Sequence, residues 1–415
     1  MSVMMLKKIC AFGLAVISFA MSFPAGVMAV SDMSGEKSAP PVQTVPSGDV
    51  AVRPLDKPAT AQGSPKDSQK RAVLPGSADR SYRNQTITED VVWRGEILIE
   101  GGVTIATQST LTIEPGTVVR FRRTDEEGGD NPLLLVHGRI LAFGGAEKPV
   151  LFTSNFAEPQ PGDWQGIVIM ASEKKNLLEN CRIAGAETGI EALFSTITMK
   201  NVLFATCGTG ARIQDCLATI SGGGASSCAV GLNLLESEVD LRDSNFSGNR
   251  QAVVAVKTSL YLGGATFYGN DQEALKVESS RVRIIGNSFS VNGSGISLSQ
   301  CEGTVSANRI LKNTDYGLSL AKSRVKVTGN EIAQNGKIGL RVEDGKGVAW
   351  GNTFAANGEY DLYNAGTEDF KAMGNWWGDG TPFSFAKRIY DRRNDAGRGK
   401  VYYIPVLRSK PQSDI

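Results

Sequence analysis

The chain has 415 residues, with 44 lysines and arginines against 43 aspartates and glutamates, a formal net charge of +1. That balance leaves neither a nucleic-acid footprint nor the charge bias of a trap for acidic substrates. One histidine excludes a multi-histidine metal site and removes the commonest general base, while 47 glycines point to many turns.

Lys7 and Lys8 precede an apolar run from Ile9 to about Phe23, and Val27-Met28-Ala29 supplies small residues suited to cleavage. This pattern predicts a secretory signal peptide over 1–29; the run is too short for an anchor and is broken by Pro24. Cys10 lies within the run and makes a poor lipidation site. No later stretch is long and apolar enough to span a bilayer. The expected location is therefore periplasmic or extracellular. Residues 30–85 are rich in Pro, Ser, Gln, Asp and Lys and nearly free of aromatics. Such a segment buries too little apolar surface to offset its chain entropy and is expected to be a disordered linker.

From about residue 86 the sequence repeats. A small residue opens an alternating strand at Gly189, Gly210, Gly231, Ala252, Ala274, Gly295, Gly317 and Gly339, with Asp361 a degenerate ninth. The step is 21 or 22 residues. One position later comes an apolar row from Ile190 to Leu362, and three positions later another from Ala192 to Val342, broken at Asn364. A second strand follows in each coil, as in Val239/Leu241, Leu260/Leu262, Val282/Ile284 and Val325/Val327. Asp240, Tyr261, Arg283 and Lys326 alternate outward between these pairs. A third, shorter strand reads Asn-x-(Phe or Ile) at Asn287, Asn308, Asn330 and Asn352. Behind it lies a row of asparagines at Asn249, Asn270, Asn292, Asn313, Asn335 and Asn357.

Three strands per coil, stacked coil on coil, account for all of this. The predicted fold is all-β, a right-handed parallel β-helix of about thirteen coils over 86–374, followed by a C-terminal cap and tail over 375–415. Like residues then lie about 4.8 Å apart along the axis, giving aliphatic ladders inside and a structural asparagine ladder at a corner. Asparagine suits such a corner because it tolerates left-handed backbone angles.

The opening phrases Leu111–Phe121 (LTIEPGTVVRF), Val150–Ser154 (VLFTS) and Gly162–Ile167 (GDWQGI) resemble the first coils of secreted right-handed parallel β-helix repeat proteins, which share the pectate-lyase-like fold. The closing phrase Gly374–Gly380 (GNWWGDG) and the segment Ile389–Leu407 resemble their ends. The resemblance spans about 86–407. It implies that the Trp-Trp-Gly phrase ends the coil stack and that the tail covers it. It leaves activity open, because lyases, hydrolases, epimerases, adhesins and NosD-type maturation factors share the repeat. Trp376 and Trp377 are expected to cap the open apolar end, the alternative being a carbohydrate-stacking platform.

Catalysis on acidic polysaccharides calls for carboxylates clustered on one outward face, with a basic partner. The outward rows, such as Glu191, Arg212, Asn233, Val254, Lys276, Ser297, Ser319, Arg341 and Tyr363, stack no two carboxylates on adjacent coils. Motifs of alginate-modifying, polygalacturonase and pectate-lyase sites are missing, so no catalytic residue is assigned. His137 reads as structural. Asp125, Glu126, Glu127 and Asp130 sit on a Gly-containing loop and are the only metal candidates, for calcium, although the spacing of a dedicated calcium loop is lacking. No other cofactor is expected. Cys207 and Cys228 are one coil apart in the slot later filled by the asparagine row. An exported chain permits a disulfide there; the alternative is two buried thiols acting as small apolar residues.

The leading expectation is a non-catalytic exported β-helix protein that binds polysaccharide, or serves as an envelope structural module. The alternatives are a polysaccharide lyase, hydrolase or epimerase with an unfamiliar site, and a periplasmic NosD-type maturation factor. The partner expected is a polysaccharide or a cell-envelope component, and no nucleic acid.

Overall fold

The structure is a computed structural model that describes residues 71–74, 78–123 and 131–411. The expected signal peptide and most of the expected linker lie outside these residues, as do Asp125, Glu126, Glu127 and Asp130.

The described chain winds as a right-handed parallel β-helix of about 13 turns. One face is a 14-stranded parallel sheet, and the other two belong to a 25-stranded sheet. Register is kept from coil to coil. Leu260 pairs with Val282, which pairs with Gly303; Phe246 pairs with Phe267, which pairs with Phe289. This in-register stacking follows from the 21- or 22-residue step, which returns each side chain to the same face one coil later.

The interior is the product of those ladders. The rows beginning at Ile190 and Ala192 are buried, as are Val239, Leu241, Leu260, Leu262, Val282, Ile284, Val325 and Val327. Phe246, Phe267 and Phe289 stack with centroids 5.1 and 4.5 Å apart, close to one coil rise. The small-residue row has a steric cause. A Cβ on Gly210 would lie 2.4 Å from the carbonyl oxygen of Gly231 and about 3.1 Å from the Phe204 ring. Only alanine is otherwise seen in the regular part of that row, at Ala252 and Ala274.

The asparagine ladder forms, but by a different geometry from the one expected. The left-handed residue at this corner is the one before each asparagine: Gly248, Gly269, Val291, Lys312, Gln334 and Ala356 all have positive φ. The asparagines themselves are buried and turn their carboxamides inward. Asn292 Nδ2 donates to Asn313 Oδ1 at 3.0 Å and to the Phe267 carbonyl at 3.2 Å; its backbone N–H donates to the same Asn313 oxygen at 3.1 Å. The bonds repeat from Asn249 to Asn357. A second ladder runs through Asn287, Asn308, Asn330, Asn352 and Asn375. Asparagine is selected here because one side chain supplies both a donor and an acceptor to a corner whose backbone groups are out of reach of water.

The ends differ from the expected boundaries in one respect. The first strand is Arg80–Ile87, so the last residues of the expected linker already pair with the strand Glu96–Ile105. Further upstream, Arg71 pairs with Asp163 at 2.5 Å, and Leu74 N–H donates to the Asn155 carbonyl. At the far end the tail supplies closing strands to both sheets: Ile389–Tyr390 pairs with Leu362–Tyr363, and Val401–Tyr402 with Phe370–Lys371. Trp377 is buried and stacks on Phe354 at 4.7 Å. Among the described residues, no helix is long and apolar enough to cross a membrane.

Candidate functional site

With the interior filled, function falls to the outward rows. On the 14-stranded sheet the central outward row reads Thr198, Thr219, Asp240, Tyr261, Arg283, Thr304, Lys326, Val348, Lys371 and Tyr402. Positive charge is concentrated in its C-terminal half. Beside it runs a second column. Arg281 pairs in register with Glu302, which pairs with Arg324; Lys346 holds the same position one coil on. The two columns put Arg281, Arg283, Arg324, Lys326 and Lys346, all exposed, on three of four consecutive coils, the remaining coil presenting Glu302 and Thr304.

Glu302 is the one carboxylate in this cluster, and it is held by Arg281 at 3.0 Å. Arg324, Lys326 and Lys346 form no ion pair among the described residues. Between the flanking cations the sheet dips. Gly303 has φ of 136°, and a Cβ there would lie 1.9 Å from the Val282 carbonyl oxygen, so the position requires glycine. With short Thr304 beside it, Gly303 floors a groove of about 570 Å³ walled by Arg281, Arg324, Lys326 and Lys346. Trp350, 46% exposed, stands on the same face two coils beyond Ser306.

Two other recesses are present. A polar one of about 390 Å³ lies at a corner and is lined by Gln251, Asp271, Glu273, Lys276, Ser294 and Asp315. Lys337 pairs with Asp315 at 2.6 Å, and Gln251 donates to Glu273 at 3.1 Å. The second, of about 380 Å³, is mainly apolar and lies along Leu151, Arg182 and Leu203.

The residues singled out from the sequence fall elsewhere. Trp377 belongs to the core, and Trp376 is half-buried with its backbone bridged to Thr353. His137 is half-buried, with Nδ1 3.3 Å from the Met170 carbonyl oxygen. Cys207 and Cys228 are both free and buried. Cys216 and Cys301 occupy a ladder otherwise made of Ser and Thr. Ser195 N–H donates to Cys216 Sγ, Cys216 N–H to Ser237 Oγ, and Cys301 N–H to Ser323 Oγ. The cationic groove was legible only in part. Arg283 and Lys326 stand in the outward row as expected, but the partner column does not follow from that row. Stepping 21 or 22 residues from Arg281 finds Glu302, Arg324 and Lys346.

Residues 230–376 match a family model described as a right handed beta helix region, and residues 85–193 match one described as a pectate-lyase like beta helix domain. No curated protein matches the sequence. The solved structures similar to this chain include a double mutant of the periplasmic alginate epimerase AlgG, at 12% identity over 77% of this chain and 78% of that one, with a TM-score of 0.46. The A-module of the Azotobacter vinelandii mannuronan C-5 epimerase AlgE6 is similar at 13% identity over 81% and 92%, with a TM-score of 0.33. A mannuronic acid specific polysaccharide family 6 lyase from human gut microbiota is similar at 13% identity over 79% and 92%, also with a TM-score of 0.33. The repeat and the parallel solenoid agree with the two family models, and together they support a pectate-lyase-like right-handed parallel β-helix repeat fold for this chain.

Proposed function

We propose that the chain is an exported, non-catalytic protein that binds acidic polysaccharide along the C-terminal half of its 14-stranded sheet. The observation that carries this reading is the set of three cations that form no ion pair among the described residues, Arg324, Lys326 and Lys346, around a groove floored by Gly303 and Thr304. Cations on adjacent coils recur about every 4.8 Å. That interval is of the same order as the rise per sugar in an extended 1,4-linked chain, so neighbouring carboxylates can meet the adjacent coils of Arg324/Lys326 and Lys346, with Arg281 and Arg283 two coils before Arg324. The groove is open and shallow, which suits a polymer lying along the axis better than a small enclosed ligand. Trp350 offers an apolar ring to a sugar face at the margin.

The reading is tested by titrating the full chain with a polyuronate and with a neutral glucan of equal length, at two salt concentrations. The polyuronate should bind, and more weakly at higher salt as the charges are screened. Each exposed contact is worth about 0.5–1 kcal/mol, so replacing Arg324, Lys326 and Lys346 together with alanine should weaken binding roughly tenfold or more. Equal affinity for both polymers, or an unchanged affinity in the triple variant, would contradict it.

A second reading is favoured by the polar recess, where Asp271, Glu273 and Lys276 gather an acid–base pair of types on neighbouring positions. An enzyme acting there on polysaccharide would lose its activity with Glu273→Gln or Lys276→Ala, while keeping the affinity carried by the cationic groove.

A further inference from the structure

Five cysteines lie in the described residues, and all are buried. Their places in the coil differ. Cys181 stands alone in its column, with Val202 at the next coil. Cys216 and Cys301 are each flanked by hydroxyl residues of the Ser/Thr ladder. Cys207 and Cys228 alone fall on adjacent coils at the same position. Leu203, Phe204 and Ala205 pair in register with Gly224, Ala225 and Ser226, and two residues beyond each strand end comes a cysteine.

This pair occupies the start of the asparagine ladder. Cys228 N–H donates to Asn249 Oδ1 at 3.0 Å, as each asparagine does to the next. Above that point the carboxamide bonds stop. Cys228 Sγ donates to the Ser226 carbonyl at 3.4 Å, and Cys207 Sγ to the Ala205 carbonyl at 3.4 Å, each within its own coil. The two thiols are in contact with one another, which holds the Cys228 thiol below its ordinary range and the Cys207 thiol well above it. Where every later coil is tied to its neighbour by a side-chain amide, these two coils carry a pair of sulfurs instead.

We propose that Cys207 and Cys228 form a disulfide, a coil-to-coil covalent link in the place of an asparagine rung. Equivalent Cα atoms on adjacent coils are about 4.8 Å apart, inside the roughly 4.4–6.8 Å range of disulfides. Their Cβ atoms, about 4.8 Å apart where stacked side chains run parallel, must approach by about 1 Å to reach the usual disulfide separation. The oxidant is a second disulfide, such as oxidised glutathione. The Cys228 thiolate attacks one of its sulfurs and expels a thiolate, leaving a mixed disulfide. The Cys207 thiolate then attacks the Cys228 sulfur, forming the Cys207–Cys228 bond and expelling the second thiolate. Two protons leave the protein, and the oxidant becomes two thiols. Because both sulfurs are buried in the finished stack, the exchange proceeds while the coils are open, during folding or local opening.

The test uses the full chain, equilibrated with oxidised glutathione in sub-denaturing urea, alkylated and digested with trypsin. Arg212 lies between the two cysteines, so the bridge joins two peptides, one holding Cys207 and the other Cys216 and Cys228. A Cys216→Ser variant, matching the ladder residues Ser195 and Ser237, makes the assignment unique. The expected result is a linked pair of these peptides, with Cys181 and Cys301 alkylated. In addition, a reductant should lower the urea midpoint of the oxidised protein but leave that of the Cys207→Ser/Cys228→Ser variant unmoved. Alkylation of both Cys207 and Cys228 after this treatment, or a midpoint insensitive to reductant, would overturn the proposal.

Discussion

At the scale of single residues the fold rests on two kinds of corner position that are adjacent in the sequence and do different work. The asparagine of each rung satisfies buried backbone, whereas the residue before it turns the chain with positive φ. Asn292 accepts from Asn270 Nδ2 at 2.8 Å and donates to Asn313 Oδ1 and the Phe267 carbonyl. Asn292→Ala strands groups on three sides, each costing about 1–3 kcal/mol when left buried without a partner. The expected loss is at least about 3 kcal/mol in urea unfolding, and a loss near zero would mean that water replaces the amide. Val291 is the converse case. It is exposed, β-branched and held at φ of 60°. Val291→Gly relieves that backbone strain and should raise stability by about 1 kcal/mol, where the same change at an extended outward position would lower it. The asparagine row could be seen in the sequence from its period. The turning residues could not, because Phe194, Lys257, Val291 and Gln300 all take positive φ and share no composition.

At the scale of elements, the repeat was readable because each coil's alternation is enforced by the coils above and below. The ends were less so, because a cap satisfies each exposed group individually. Two breaks in the repeat and the last rung of the second ladder are its fastenings. Asp361, where the small residue should be, accepts from Asn357 Nδ2 at 2.8 Å and pairs with Arg388 at 3.2 Å, closing the asparagine ladder. Asn364, where the apolar row stops, donates to the Glu368 and Gly399 carbonyls. Asn375 ends the second ladder. Within the tail, burial opposes ionisation of Asp391, yet the Arg393 guanidinium at 2.8 Å and the Val401 N–H at 2.9 Å hold its carboxyl below the usual range. A carboxyl depressed on folding stabilises the protein above its unfolded pKa of about 3.9. That contribution is lost as pH falls through the lower folded value. The urea midpoint of the wild type should therefore drop below about pH 4 more steeply than that of Asp391→Asn, which starts lower. Parallel curves would show that Asp391 does not anchor the tail.

At the scale of the whole molecule, a net charge of +1 conceals a segregated surface. Acidic and basic side chains pair across neighbouring coils at several places, as in Arg212–Glu191, Lys257–Glu236 and Arg309–Glu331. On the outward face of the 14-stranded sheet from Arg281 to Lys346 only Arg281 is matched, by Glu302, while Arg324, Lys326 and Lys346 form no ion pair among the described residues. Composition cannot report this, because it depends on which residues a 21- or 22-residue step brings side by side. The most direct test of binding without catalysis is to mix the full chain with a polyuronate of defined length, with and without calcium, and pass it through a size-exclusion column that follows protein and polymer together. The protein should travel with the polymer at low salt, and the polymer should emerge at its original length. Protein eluting alone at low salt, or polymer emerging shortened, would contradict the account.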